Sequence, residues 1–295
     1  MKIANRLSQK QQIFKDIIID DSYFVNTINI PGKNRSFNPY DAPVGALSAN
    51  FNTVYFNSDK KGRLITAESQ TPLLPSISKK IHLMRLKKGR YTFSHNRQEI
   101  TTYAGELLLY FLRKSNAKAS GNIRLGLIES DDKLIYRYHS SFTLEEVIKK
   151  MMRYSNNFIA NQLLITMGAK ESGEPGDLRK GVNVIMQYTK QELGLEGFKV
   201  VEGSGLSREN RISALQMLSI LKAFSPYRYL LNQRDNFFHK TGSLQGIKNR
   251  VGYFDNGSKN IYYYIIFLSK SNVDPDALIE CLKNELLFKK RLVKY

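Results

Sequence analysis

The hydrophobic pattern of the chain changes its period near residue 140. Before that point it is strand-like and irregular. Ile13 to Asp20 is rich in β-branched residues, Pro31 to Pro39 is a loop rich in Pro and Asn, and Asn50 to Phe56 alternates polar and apolar positions as a half-buried strand does. One helix is expected near Thr101–Arg113, where Leu107, Leu108, Phe111 and Leu112 recur at helical spacing.

From Thr143 the pattern turns helical. Thr143 and Glu146 form a capping box ahead of the stripe Leu144, Val147, Ile148, Met151 and Met152. A second helix carries Phe158, Ile159, Leu163 and Leu164, with Gly168 as its expected stop. A third runs from Asp177 to Gly194, and Ser213-x-x-Gln216 caps a fourth. Phe237–Thr241, Ile247–Phe254 and Ile261–Ser269 then read as three strands, with Asn256-Gly257 as the turn between the last two. Pro275 opens a closing helix through Leu278, Ile279, Leu282 and Leu286. The expected class is α+β: a β-rich domain over 1–140, then helices and an antiparallel sheet over 141–295.

Composition narrows the partners. Of 295 residues, 42% are hydrophobic and 24% charged, a globular balance. The net charge of +19 favours anionic partners, but the basic residues are scattered rather than set in a stripe with interleaved aromatics, so no nucleic-acid binding is expected. Cys281 is the only cysteine and the four histidines lack metal-ligand spacing, so neither a disulfide, a metal site nor a cofactor is expected. No apolar run reaches the roughly 18 residues of a membrane span. The start of the chain turns polar after Leu7, where a signal peptide needs its apolar segment, so no export signal is expected either.

The candidate chemistry lies at Ser155-Asn156-Asn157 and Lys240-Thr241-Gly242. Together they match two of the three elements of a serine acyl-transfer site for D-alanyl peptides and β-lactams. A Lys ammonium on a strand can hold a substrate carboxylate and assist proton transfer, and the Thr hydroxyl can hydrogen-bond the same group. Gly242, followed by Ser243, lets a peptide lie against the strand edge. Ser155 can relay a proton, and Asn157 can hold a substrate amide. Each motif alone is a common turn or cap, and the order and spacing of the pair give it weight.

Longer stretches carry a family resemblance. Arg153–Leu164, Glu202-Gly203-Ser204-Gly205-Leu206-Ser207-Arg208-Glu209-Asn210 and His239–Gly246 resemble, in order, segments of the penicillin-binding D-Ala-D-Ala carboxypeptidase/endopeptidase family. Tyr40–Ser48 with Asn50-Phe51-Asn52 resembles the domain that such enzymes insert after their nucleophile helix. The resemblance implies a β-lactamase/transpeptidase-like fold, a periplasmic or cell-envelope location, and peptidoglycan stem peptides and β-lactams as partners. It also implies Ser155, Asn157 and Lys240 as catalytic groups, and Thr241, Gly242 and Ser243 as substrate-binding ones.

The nucleophilic Ser-x-x-Lys is the departure. The family order puts it upstream of Met1, so a truncated or split enzyme is expected, inactive alone and poorly soluble until a companion N-terminal polypeptide completes it. The alternative is a non-catalytic peptidoglycan binder. Formal matches occur at Ser58/Lys61, Ser76/Lys79, Ser115/Lys118 and Ser130/Lys133. Ser76 is the best of these, but its surroundings read as a basic surface strand or loop.

Overall fold

The computed structural model of the protein describes residues 1–255, 261–270 and 272–292, with side chains as far as 285. The chain forms two compact units. The first comprises 1–143, 157–185 and 201–207, and the second 144–156, 186–200 and 208–295. The later segments 157–185 and 201–207, expected in the C-terminal domain, pack instead with the N-terminal one.

The first unit is more helical than its pattern promised. In order it contains α1 (Lys2–Lys10), β1 (Ile13–Phe14), β2 (Ile17–Ile19), β3 (Thr53–Ser58), β4 (Leu64–Thr66), α2 (Pro75–Leu83), β5 (Gly89–Thr92), α3 (Arg97–Lys114), β6 (Lys118–Ala119) and β7 (Ile123–Leu125). The antiparallel sheet β4-β3-β5 shares a core with α2 and α3 through Val54, Phe56, Ile77, Ile81 and Tyr103. The segment Ser76–Leu83, expected as surface strand or loop, is therefore helix. Pro75 starts it, and Ile77 and Ile81, one turn apart, are both buried. Arg97 holds the segment after β2 in place. It donates to the Asp21 carboxylate at 2.6 Å and to the carbonyls of Asp21, Phe24 and Val25.

The same unit receives α5 (Asn157–Ser172) and the start of α6 (Leu178–Leu193). Gly168 does not stop α5, because it is an approach point. A Cβ there would lie 2.4 Å from Gly181 N, and a Cβ on Gly181 would lie 2.2 Å from Leu164 O. Two facing glycines bring the helix backbones together, which outweighs their poor helix propensity.

Residues 202–207 close onto α5 through a buried carboxylate. Glu202 is 2% exposed and accepts from Ser204 N (2.7 Å), Ser204 Oγ (2.6 Å), Ser207 N (3.1 Å) and Asn161 Nδ2 (3.2 Å). Asn161 Oδ1 takes the Gly203 N–H at 2.8 Å. Burial alone raises the Glu202 pKa, but the hydrogen bonds from Ser204, Ser207 and Asn161 outweigh it and hold it below the usual carboxylate range.

The second unit contains α4 (Leu144–Tyr154), the end of α6, α7 (Ala214–Phe224), β8 (Asn232–Arg234), β9 (Phe237–Leu244), β10 (Ile247–Asp255), β11 (Ile261–Ser269) and α8 (Pro275–Leu292). The strands form one antiparallel sheet in the order β11-β10-β9-β8. The Asn256-Gly257 turn lies outside the described residues. The Ser213–Gln216 capping box forms as expected and starts α7. Leu221 of α7 and Met152 of α4 cover one face with Val251, Tyr253 and Ile265. Ile279 of α8 covers the other with Phe237, Phe254 and Tyr264.

Two outcomes test this packing. Gly181→Ala should lower stability by about 2 kcal/mol, because overpacking outweighs the ~1 kcal/mol helix-propensity gain. An unchanged thermal midpoint would mean that α5 and α6 part freely. Glu202→Gln should destabilise the chain by about 2–3 kcal/mol at neutral pH, since a charged acceptor of several buried donors is lost. A depressed carboxyl stabilises the fold above its unfolded pKa, and that contribution disappears as pH falls through the folded value. The wild-type advantage over Glu202→Gln in chemical denaturation should therefore be full at pH 7 and shrink steadily below pH ~4.5. An advantage as large at pH 3 as at pH 7 contradicts this account of Glu202.

Candidate active site

The turn after α4 positions Ser155. Its φ is 48°, left-handed for a residue with a Cβ, and Asn156 N donates back to Met151 O at 3.1 Å. This bond closes α4 in the manner of a Schellman cap, in which glycine is the usual left-handed residue. A serine there costs about 1 kcal/mol of strain. The cost directs attention to its hydroxyl.

That hydroxyl meets Lys240. Lys240 Nζ donates to Ser155 Oγ and, at 2.6 Å, to its neighbour's carbonyl, Thr241 O. Burial first, and the nearby Arg250 second, hold the Lys240 ammonium below the usual lysine range. Ser155 accepts from Lys240, so its own O–H remains a donor.

Lys-Thr-Gly does not end its strand. β9 continues to Leu244, which places the motif mid-strand, and alternation sends Lys240 and Thr241 to opposite faces. Lys240 lies across from Val251, on the side covered by α7, and Thr241 lies across from Arg250. Thr241 lines a cavity of about 170 Å³ with His239, Arg250, Tyr264 and Asp276, beside α8. Arg250 binds the Asp276 carboxylate there at 2.8 and 3.1 Å. Gly242 and Ser243 are exposed.

β8 pairs with β9 only as far as His239, so among the described residues no strand covers the outer edge from Lys240 to Leu244. A bare edge of this kind can accept an extended peptide as an added strand. Within the second unit, Arg208 Nη2 donates to Gln245 O at 2.5 Å, in the β9–β10 turn.

Asn157 belongs to the first unit, begins α5 and donates to Tyr40 O at 3.5 Å. Ser76 lies in the first turn of α2, and its hydroxyl donates to Glu106 at 2.6 Å. Lys79, the partner in the formal Ser-x-x-Lys match, is exposed one turn on. Sequence reasoning missed Glu202 and Asn161. A Glu before Gly-Ser-Gly and an Asn on α5 were visible as residues, but nothing local signalled that they meet. No described helix is long and apolar enough to cross a membrane.

The chain is 26% identical over 199 residues to the D-alanyl-D-alanine carboxypeptidase DacB of Haemophilus influenzae, covering 58% of the chain and 41% of that protein. It is 29% identical over 127 residues to a D-alanyl-D-alanine carboxypeptidase of an Actinomadura species, covering 42% and 23% respectively. The chain thus spans less than half of either curated relative. The crystal structure of penicillin binding protein 4 (dacB) from H. influenzae superposes with a TM-score of 0.68 at 18% identity, over 92% of this chain and 73% of that one. The same protein complexed with a novel β-lactam gives 0.58 over 92% and 72%. These superpositions show the β-lactamase/transpeptidase-like α+β fold expected from the resemblance. Residues 83–237 match the D-Ala-D-Ala carboxypeptidase 3 (S13) family, which extends from α2 through the Ser155 turn to the first residue of β9. The chain belongs to that family.

Proposed function

We propose that this chain binds the D-alanyl end of peptidoglycan stem peptides at Ser155, Lys240 and the open β9 edge, as the substrate-holding part of a serine D-Ala-D-Ala carboxypeptidase/endopeptidase. The observation that carries this reading is the Lys240–Ser155 hydrogen bond on a half-buried ammonium. The peptide lies along Thr241, Gly242 and Ser243 as an added strand, and Lys240 attracts its terminal carboxylate. Ser155 then gives its proton to the departing amine and is reprotonated from Lys240. β-Lactams, which mimic the D-alanyl terminus, enter the same place. A periplasmic or cell-envelope location follows from that substrate.

Acyl transfer also needs an activated serine. Ser76 is held by Glu106, so in this reading the nucleophile comes from a companion segment, and the chain alone binds without turning over. A non-catalytic peptidoglycan binder is the second reading, favoured by the same engagement of Ser76.

A fluorescent penicillin should leave the isolated chain unlabelled, and mass spectrometry should find no penicilloyl serine. An adduct on Ser76 or any other serine would overturn the assignment of the nucleophile. A D-Ala-D-Ala peptide should bind measurably by calorimetry, and Lys240→Ala should weaken it at least about 10-fold, the scale of one charge-assisted hydrogen bond. Because the Lys240 pKa is lowered, its positive charge is lost at lower pH than that of an ordinary lysine near 10.5. Affinity should thus hold through neutral pH and fall as pH rises, with a midpoint below 10.5 that vanishes in Lys240→Ala. Peptide binding indifferent to Lys240→Ala would remove this site from the function.

A further inference from the structure

Basic residues that are scattered in the sequence gather at one end of the sheet β4-β3-β5. Register brings two segments there. Phe56 of β3 pairs with Gly89 of β5, so the turn after Ser58 lies at the same end of the sheet as the residues that enter β5. That end carries Lys60 and Lys61 from the β3–β4 turn and Lys87 and Lys88 ahead of β5, all exposed. α2 runs into the same place. Ile77 and Ile81 face the core, which leaves Lys79 and Leu83, one turn apart, on the outer side, and Leu83 is 72% exposed.

The end of α2 holds a residue that the core does not explain. Leu86 N donates to Ile81 O at 3.2 Å and Arg85 N to His82 O at 3.1 Å, the paired bonds of a Schellman cap, with Leu86 and Ile81 in one apolar cluster. The left-handed residue of such a cap is usually glycine, yet here it is Arg85, with φ 51°. The helix dipole does not require it, since Lys80 already stands in the last turn. An exposed cation kept at the expense of backbone strain points to a use for its side chain.

The acidic neighbours are already engaged. The chain has no Asp or Glu between Glu68 and Glu99, and these two are taken up by Arg90 and Lys80. Asp59 binds Arg63 at 2.8 Å. Among the described residues Lys60, Lys61, Lys79, Arg85, Lys87 and Lys88 have no ion pair.

We propose that this patch docks on the surface of an anionic phospholipid bilayer. The lysines and Arg85 meet the phosphate layer, and Leu83 enters the boundary between headgroups and acyl chains. Leu83 decides between anionic partners. Nucleic acids are held by cations and by stacking on aromatic rings, and neither they nor a soluble polyanion gives an exposed aliphatic side chain anywhere to go. A bilayer does. The inference stands apart from the D-alanyl reading, because it concerns where the chain is held and not what it binds at Lys240.

The test is co-sedimentation of the full chain with vesicles of phosphatidylcholine, alone or with about 30% phosphatidylglycerol. Binding is expected only with the anionic lipid and should weaken as salt rises. Each cation near an anionic leaflet strengthens partitioning about 5-fold, so Lys87→Ala/Lys88→Ala should weaken it about 10-fold or more. Leu83→Asn should weaken it about 5-fold or more and keep the salt dependence. Arg85→Gly should bind about 5-fold more weakly, yet its thermal midpoint should equal or exceed that of the wild type, so its loss is not unfolding. Lys10→Ala/Lys15→Ala, which removes the same charge at the end of α1 and between β1 and β2, should bind within about 2-fold of the wild type. Equal binding to both vesicles, an equal loss in Lys10→Ala/Lys15→Ala, or indifference to Leu83→Asn would each overturn the site. So would duplex DNA bound through Lys87 and Lys88 by a chain that ignores anionic vesicles. D-Ala-D-Ala peptide binding should be unchanged in every patch variant, which keeps a failure of the D-alanyl reading distinct from a failure of this one.

Discussion

A buried carboxylate that gathers its own hydrogen-bond donors sets the constraint on which the packing around α5 depends. Glu202 is tolerated in the interior because N–H and O–H donors from Ser204, Ser207 and Asn161 converge on it. Those donors cannot be supplied unless residues 202–207 curl back on themselves and lie against α5. Gly203 permits the approach, since a Cβ there would lie 2.8 Å from Ala160 O. Gly32 accommodates the far side, where a Cβ would lie 2.6 Å from Ser207 Cα. Satisfying one charge thus fixes a loop, the rotation of a helix and the path of a distant segment. In the second unit the chain makes its own reversal at Ser155, where φ is 48°.

That reversal gives Ser155 its chemistry. A helix that ends in a left-handed residue needs glycine unless a side chain is wanted there. Serine at this position turns its hydroxyl onto Lys240, and the contact spans 85 positions of sequence. Lys240 is in turn placed by the register of β9 against β10, which lays Val251 opposite it and Arg250 opposite Thr241. Arg250 is close enough to lower the Lys240 pKa, yet its own charge is taken up by Asp276. The sheet therefore separates two charged systems, one on each face, and leaves Lys240 the cation that meets Ser155.

Much of the second unit could be read from the chain because its signals are local. β-Branched and aromatic runs gave β10 and β11 nearly to their ends, and Ser213-x-x-Gln216 gave the start of α7. β9 ran past Thr241 to Leu244, because pairing with β10 overrides the weak strand propensity of Gly242 and Ser243. Where meaning depended on a distant neighbour, local reading failed. Gly168 looked like a helix stop, but its partner Gly181 belongs to the next helix. The Lys-rich segment after Pro75 looked like surface, yet two isoleucines a turn apart suffice to bury one side of α2. Glu202 carried no local signal, since a carboxylate reveals its role only through the donors it collects.

The same distinction bears on what the family motifs can mean. Ser155 and Lys240 can pass a proton and hold a carboxylate, but neither supplies an electron pair to a carbonyl carbon. Ser155 is committed as acceptor to an ammonium, which withdraws electron density from its oxygen and makes it a better acid and a poorer nucleophile. Ser76 has the reverse arrangement, a hydroxyl donating to the Glu106 carboxylate, and the lysine that shares its cavity, Lys80, donates to Glu99. On the proposed reading, Ser155 and Lys240 serve binding and proton relay, both of which act through fixed charges and donors, and bond formation falls to another hydroxyl.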